Sequence, residues 1–217
     1  MKERIKLFQD RILAWFEEHK RDFPWREDNL SDYKLIIAEI LLQRTKAETV
    51  SKFYNNFIFE FPTWETLSIA GLPAIEEFIK PIGLYRQRAA RLQKLASYMV
   101  KNNGILPRDR IELETVPFMG QYIANAVELF IYNKNKPLLD VNMARVLERY
   151  FGPRVKADIR YDEYLQGLAH DIVEHKKSKE ISWAILDFAA IICQARIPKC
   201  STCLLSDTCY YFRILQK

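Results

Sequence analysis

Cysteine is absent from the first 192 residues of the chain, and all four copies, Cys193, Cys200, Cys203 and Cys209, fall near the C-terminal end. A disulfide framework staples distant loops, so this clustering argues against one and reads as a metal site. Long apolar runs are missing too. None approaches the ~20 residues that span a bilayer, and Met1-Lys2-Glu3-Arg4-Ile5 lacks the apolar core of a signal peptide. A cytoplasmic chain with no membrane partner is expected. Sustained period-two alternation is absent, as are low-complexity linkers and internal repeats, so any division into lobes has to come from packing.

What is present is an ordinary globular composition, 49% hydrophobic and 13% aromatic over 217 residues, enough for one sizeable core or two smaller ones. Lys+Arg of 33 against Asp+Glu of 28 gives a formal charge of +5, which suits a polyanionic partner without requiring one. Ile5, Phe8, Ile12, Leu13 and Phe16 follow helical spacing up to a stop at Pro24. Ser31 and Asp32 are placed to cap a second helix through Leu42. Further helical patterns cover residues 50–59, 64–70, 74–80, 86–100, 122–132, 143–150, 161–175 and 182–193, separated by short Gly- and Pro-marked connections. The fold class is therefore all-α. Lys134-Asn135-Lys136-Pro137 is the best internal break, because polar residues ending in proline separate two helical runs.

The cysteines follow C-x6-C-x2-C-x5-C. Four thiolates this close suit a tetrahedral zinc or a [4Fe-4S] cube. Zinc sites usually pair their ligands in two short knuckles, and here only Cys200 and Cys203 form one, so the spacing favours iron-sulfur. Together with Asp187-Phe188-Ala189-Ala190-Ile191-Ile192-Cys193 and Ile197-Pro198-Lys199-Cys200, the pattern resembles the cluster loop of the endonuclease III and MutY family of helix-hairpin-helix DNA glycosylases. That resemblance implies a structural, DNA-sensing [4Fe-4S] cofactor on Cys193, Cys200, Cys203 and Cys209. It also implies a loop whose Arg196 and Lys199 meet phosphates; by themselves they are two exposed basic residues.

Other segments match the same family in the same order. Leu113-Glu114-Thr115-Val116-Pro117-Phe118-Met119-Gly120 is a proline turn leading into a helix at Gln121 or Tyr122, and a helix start of this kind leaves N–H groups for an anion. It resembles the family hairpin, typically Leu-Pro-Gly-Val-Gly, with Phe118 in place of the first glycine and Gly120 retained. Glu39, set among Ile36, Ile37, Ala38, Ile40, Leu41 and Leu42, sits where burial would favour a proton donor, although a semi-buried glutamate also commonly pairs with arginine. Ala38-Glu39-Ile40-Leu41-Leu42-Gln43-Arg44-Thr45 resembles the MutY segment whose glutamate acts on the extruded base. Asp140 reads by itself as a helix N-cap, and Asn142 as its support or a second cap. In Leu139-Asp140-Val141-Asn142-Met143-Ala144-Arg145-Val146 it resembles the family's catalytic aspartate, whose charge would stabilise an oxocarbenium ion. Bifunctional relatives place a Schiff-base lysine on the helix after the hairpin; the matching residue here is Tyr122, which cannot form one.

The resemblance implies a two-lobed helix-hairpin-helix DNA glycosylase fold with a C-terminal [4Fe-4S] loop. One lobe spans residues 28–135, and the other joins 1–27 to 136–217, with Glu39 facing Asp140. The implied partner is double-stranded DNA holding a mispaired or damaged base, bound by a monomer on the nucleoid. Catalysis falls to Glu39, Asp140 and Tyr122, and DNA contact to Gln43, Arg44, Gly120, Gln121, Asn142, Arg196 and Lys199. Because MutY enzymes usually carry a further C-terminal domain and this sequence ends soon after Cys209, the short thymine/uracil mismatch glycosylases are the better match. Adenine excision opposite guanine or 8-oxoguanine is the second reading. A non-catalytic DNA-binding module is the third, and the joint presence of Glu39 and Asp140 speaks against it.

Overall fold

The computed structural model describes residues 1–215, so the last two residues of the expected 136–217 lobe lie outside the described residues. The described residues form twelve α-helices and no strand, in agreement with the all-α expectation: α1 (Lys2–His19), α2 (Asp32–Leu42), α3 (Ala47–Glu60), α4 (Trp64–Ile69), α5 (Leu72–Ile79), α6 (Tyr85–Lys101), α7 (Arg110–Thr115), α8 (Gln121–Phe130), α9 (Val141–Phe151), α10 (Glu163–Val173), α11 (Ser178–Ile191) and α12 (Tyr210–Leu215). Helices α7 and α12 were not expected. Helix α7 buries only Leu113, and none of residues 210–214 of α12 is buried, so neither carries an apolar stripe that a sequence pattern could show. Helix α11 begins at Ser178 rather than 182, because Ser178 and Ile181 already face the core.

The chain divides into two compact units, one of residues 22–127 and one joining 1–21 to 128 onward. Both divisions come earlier than the borders expected from sequence. The second falls inside α8 because the end of that helix is tied to α11: Phe130 stacks on Trp183 at 5.7 Å, and Lys179 Nζ donates to the Phe130 carbonyl at 3.4 Å. Arg21 is likewise held by Asp187 of α11. Its backbone N–H and Nε donate to the two carboxylate oxygens at 3.0 and 2.7 Å, and Asp187 is fully buried.

In the 22–127 unit, α4 and α5 pack on α6. Helix α6 buries Ala89, Leu92, Leu95, Ala96 and Met99 along one stripe and leaves Arg86, Arg91 and Lys94 exposed. Helix α2 is enclosed on nearly every side, so the only charged residue of its middle, Glu39, is carried into the interior with Ile36, Ile37, Ile40 and Leu41. In the other unit α1 lies on α11, with Phe8 and Ile12 fully buried and Trp15 edge-on to Phe188 at 5.2 Å. Each such side chain stabilises the fold by ~1.5–3 kcal/mol. Helix α9 packs against α10, α11 and α12 and ends at Gly152, whose φ of 133° favours glycine.

Candidate active site

Glu39 is 6% exposed, and its Oε2 accepts a hydrogen bond from the Tyr122 hydroxyl at 3.1 Å. The first turn of α8 thus presents Tyr122 to the middle of α2, and two of the sequence-expected catalytic residues meet within one unit. One turn beyond Glu39, α2 ends at Leu42 and is followed by Gln43, its C-cap, and Arg44, which adopts a left-handed φ of 55°. Arg88 of α6 secures this turn, donating to the carbonyls of Leu41 at 3.5 Å and Gln43 at 2.5 Å. Burial and the nearby Arg44 charge lower the Arg88 pKa from its usual value. Gln43 is half-buried and Arg44 exposed.

The hairpin between α7 and α8 is fixed from behind by Arg110, which donates to Glu114 at 2.8 Å, Asn125 at 2.7 Å and the Gln121 carbonyl at 3.3 Å. Phe118 stands at φ 70°, the left-handed backbone that glycine adopts freely, so the departure from the family hairpin costs roughly 1 kcal/mol of local strain. Its half-buried ring lies 5.8 Å from the Arg91 guanidinium. Gly120, the residue before α8, is exposed, and a Cβ built there meets nothing within 4 Å.

Asp140 is in the other unit. It caps α9, its Oδ1 accepting the backbone N–H groups of Asn142 and Met143, each at 2.8 Å, and its Oδ2 accepting the Asn142 side-chain amide at 2.7 Å. Burial raises the Asp140 pKa above the usual carboxylate range; these hydrogen bonds and the Arg145 charge oppose that rise without cancelling it. Arg145 fixes Asn142 in turn, donating from Nη1 to Asn142 Oδ1 at 3.1 Å. That contact settles which way the amide faces, since its nitrogen must then point to Asp140. From its other side Arg145 donates to the carbonyls of Cys193 at 2.9 Å and Ala189 at 3.1 Å. A chain of polar contacts therefore runs from the carboxylate of Asp140 to the first cysteine. Arg145 and Arg88 were not legible in the sequence because the carbonyls they hold, at Ala189 and Cys193 and at Leu41 and Gln43, lie more than forty residues away.

All four cysteines line one pocket, between α9, the end of α11 and the segment before α12. Among the described residues no set of three or more His, Cys, Asp or Glu forms a group that could hold a metal ion. Burial pushes the Cys203 thiol up to about 11 and raises Cys200 and Cys209. The charge of Arg149 opposes this at Cys200. Arg196 and Lys199, in the loop between the first two cysteines, are exposed, and neither side chain makes an ion pair among the described residues.

Residues 37–178 match the HhH-GPD superfamily of base excision DNA repair proteins. A thymine/uracil-DNA glycosylase of Methanothermobacter thermautotrophicus is 35% identical over 209 residues, which cover 95% of this chain and 94% of that protein. An adenine DNA glycosylase of Mycobacterium tuberculosis is 30% identical over 200 residues, covering 91% of this chain and 65% of the relative. Among solved structures, a thermostable thymine-DNA glycosylase superposes with a TM-score of 0.88 at 34% identity, covering 98% of each chain.

Proposed function

The chain belongs to the HhH-GPD superfamily of base excision DNA repair proteins, and from that premise we propose that it is a monofunctional DNA glycosylase releasing thymine or uracil mispaired with guanine. The observation that carries the choice of base is the likeness to thymine/uracil-DNA glycosylase along nearly the whole of both chains. The adenine-specific relative is less similar.

The chemistry follows from two carboxyl groups in unlike surroundings. Cleaving an N-glycosidic bond moves electrons onto the departing base and leaves positive charge on the sugar. A buried Glu39, oriented by the Tyr122 hydroxyl, is suited to hand a proton to the base as the bond breaks. Asp140 supplies the opposing charge. Its carboxylate is held by three N–H groups but remains costly to ionise, and a cation forming beside it offsets that cost only in the transition state. Water then adds to the sugar, leaving an abasic site. Extruding the base is least costly at a mispair, which gives selectivity for thymine from a wobble pair over thymine from a regular one. Gln43 and Arg44, on the turn after α2, are the residues we assign to the opposite guanine and its backbone, because arginine can donate to guanine O6 and N7. Gly120, Gln121, Asn142, Arg196 and Lys199 complete the DNA contacts, the open face of Gly120 allowing a phosphate to approach the start of α8.

Duplexes identical except for T·G, U·G, A·G or A opposite 8-oxoguanine, compared under single-turnover conditions and developed with alkali, should release thymine and uracil fastest. Faster adenine release would transfer the assignment to the adenine-specific branch, and no release from any duplex would leave only a binding module.

Cys193, Cys200, Cys203 and Cys209 line one pocket with arginine donors beside it, and it is the chemistry of this four-thiol donor set that supports a [4Fe-4S] cluster, which would have to draw the thiols closer together than they stand here. When bound, such a cluster supplies a covalent cross-link of the C-terminal segment and a one-electron couple. Anaerobically purified protein should be brown and contain about four irons per chain, as the stoichiometry of the cube requires. Metal analysis giving zinc and no iron would replace this assignment with a tetrahedral site.

A further inference from the structure

We propose that Arg149 is the positioning residue of the cysteine site, orienting Cys193 and setting how readily a cluster bound there is oxidised. This rests on the reading of the cysteines as iron ligands. Arg149 lies on the same face of α9 as Arg145, one turn later, and is half-buried. Its Nη1 donates to the Gln194 carbonyl at 2.7 Å and lies 3.4 Å from both the carbonyl and the Sγ of Cys193. Its Nη2 donates to the Ala195 carbonyl at 2.9 Å. The guanidinium also rests over the Tyr211 ring at 4.9 Å, beyond the last cysteine. One side chain thus grips the turn that begins the cysteine loop and leans on Tyr211, two residues past its end.

No carboxylate among the described residues pairs with Arg149, so its charge is left for the sulfurs. Three consecutive carbonyls, Cys193, Gln194 and Ala195, point at it, and only a planar fork can answer them together. A lysine keeps the charge but is a single point with no fork. A hydrogen bond from a cation to a ligand sulfur stabilises the more negative, reduced state over the oxidised one and raises the midpoint. The loss of that bond should therefore make the cluster easier to oxidise, and an oxidised cluster is the state that sheds iron.

Wild type, Arg149→Lys and Tyr211→Leu would be purified anaerobically and compared for iron per chain, one-electron midpoint, and rate of bleaching by ferricyanide. The expected result for Arg149→Lys is a lower midpoint, with the oxidised to reduced ratio at a fixed potential raised about tenfold, or ~59 mV for one electron. Bleaching should be several-fold faster, and thermal unfolding little changed. Tyr211→Leu should shift the same way by less. If Arg149→Lys takes up no iron, the positioning role stands and Tyr211→Leu carries the test of potential. Unchanged midpoints and bleaching in both variants, with iron retained, would overturn the inference while leaving the cluster reading intact. Wild type without iron would remove both.

Discussion

Asp140→Asn should slow base release severely while making the protein more stable at neutral pH. The amide keeps the shape of the carboxylate, and its Oδ1 can still accept the N–H groups of Asn142 and Met143, so the cap on α9 is retained; its nitrogen, however, replaces the oxygen that accepts the Asn142 side-chain amide, and this lost contact offsets part of the gain. What it loses is the charge that faces the oxocarbenium ion, and removing one such electrostatic partner typically costs about 10²–10³ in rate. The stability gain follows from the raised pKa of Asp140. A carboxyl whose folded pKa lies above its unfolded value adds stability at acid pH, below about 3.9. That contribution is lost as pH rises through the folded value. At neutral pH the wild type bears the full cost of an ionised, buried carboxylate and the variant does not. Calorimetry should therefore show a Tm about 2–4 °C higher for the variant per kcal/mol gained, at pH 7.5, with the gap closing toward pH 4. The wild-type rate should itself rise with pH along a limb displaced above the ordinary carboxylate range, because only the ionised form opposes the sugar cation. A near wild-type single-turnover rate for Asp140→Asn would remove Asp140 from the chemistry.

The parts of this site that a sequence discloses are those written in local patterns. The stripe of Ala89, Leu92, Leu95, Ala96 and Met99 gives α6 by its period alone, and the spacing of Cys193, Cys200, Cys203 and Cys209 gives a shared cavity. Glu39 within an apolar helix and Asp140 before Asn142 were equally visible, as positions if not as partners. The arginines that organise them were not. Arg88, Arg145 and Arg149 act on backbone carbonyls at the ends of α2 and α11, and a carbonyl has no letter in the sequence. Asp187 shows the converse. In sequence it stands only as the start of the segment leading to Cys193, yet it is fully buried and clasped by Arg21, so its task is to join the N-terminal segment to α11. At Phe118 the sequence showed a departure from the family hairpin but not its cost. Only the backbone angle reveals that an aromatic residue occupies the place where glycine is unstrained.

Base release should leave the DNA strand unbroken, and borohydride should trap no covalent complex. Strand cleavage by a bifunctional glycosylase begins with an amine attacking the sugar, because a Schiff base forms only from a nitrogen that can lose a proton and bond to carbon. The place for that amine is the helix after the hairpin. Helix α8 reads Gln121-Tyr122-Ile123-Ala124-Asn125-Ala126-Val127-Glu128-Leu129-Phe130, with no lysine in it, and α9, which follows Asp140, has none either. On the proposed reading Tyr122 stands where the amine would, but it can offer only a phenol, and its hydroxyl is engaged with Glu39 at 3.1 Å. The next lysine along the chain, Lys134, is bound to buried Glu128 at 2.9 Å. Water is therefore the group left to attack, and the product should be an abasic sugar that nicks only after alkali or a separate lyase. The measurement is a T·G duplex incubated with enzyme and divided into three portions: untreated, alkali-treated, and reduced with borohydride before denaturing electrophoresis. Cleavage in the alkali portion alone is the expected pattern. A covalent protein–DNA band that grows in step with base release would mean that a lysine from elsewhere in the chain reaches the sugar, and Tyr122 would then lose its place as the residue that decides between hydrolysis and strand cleavage.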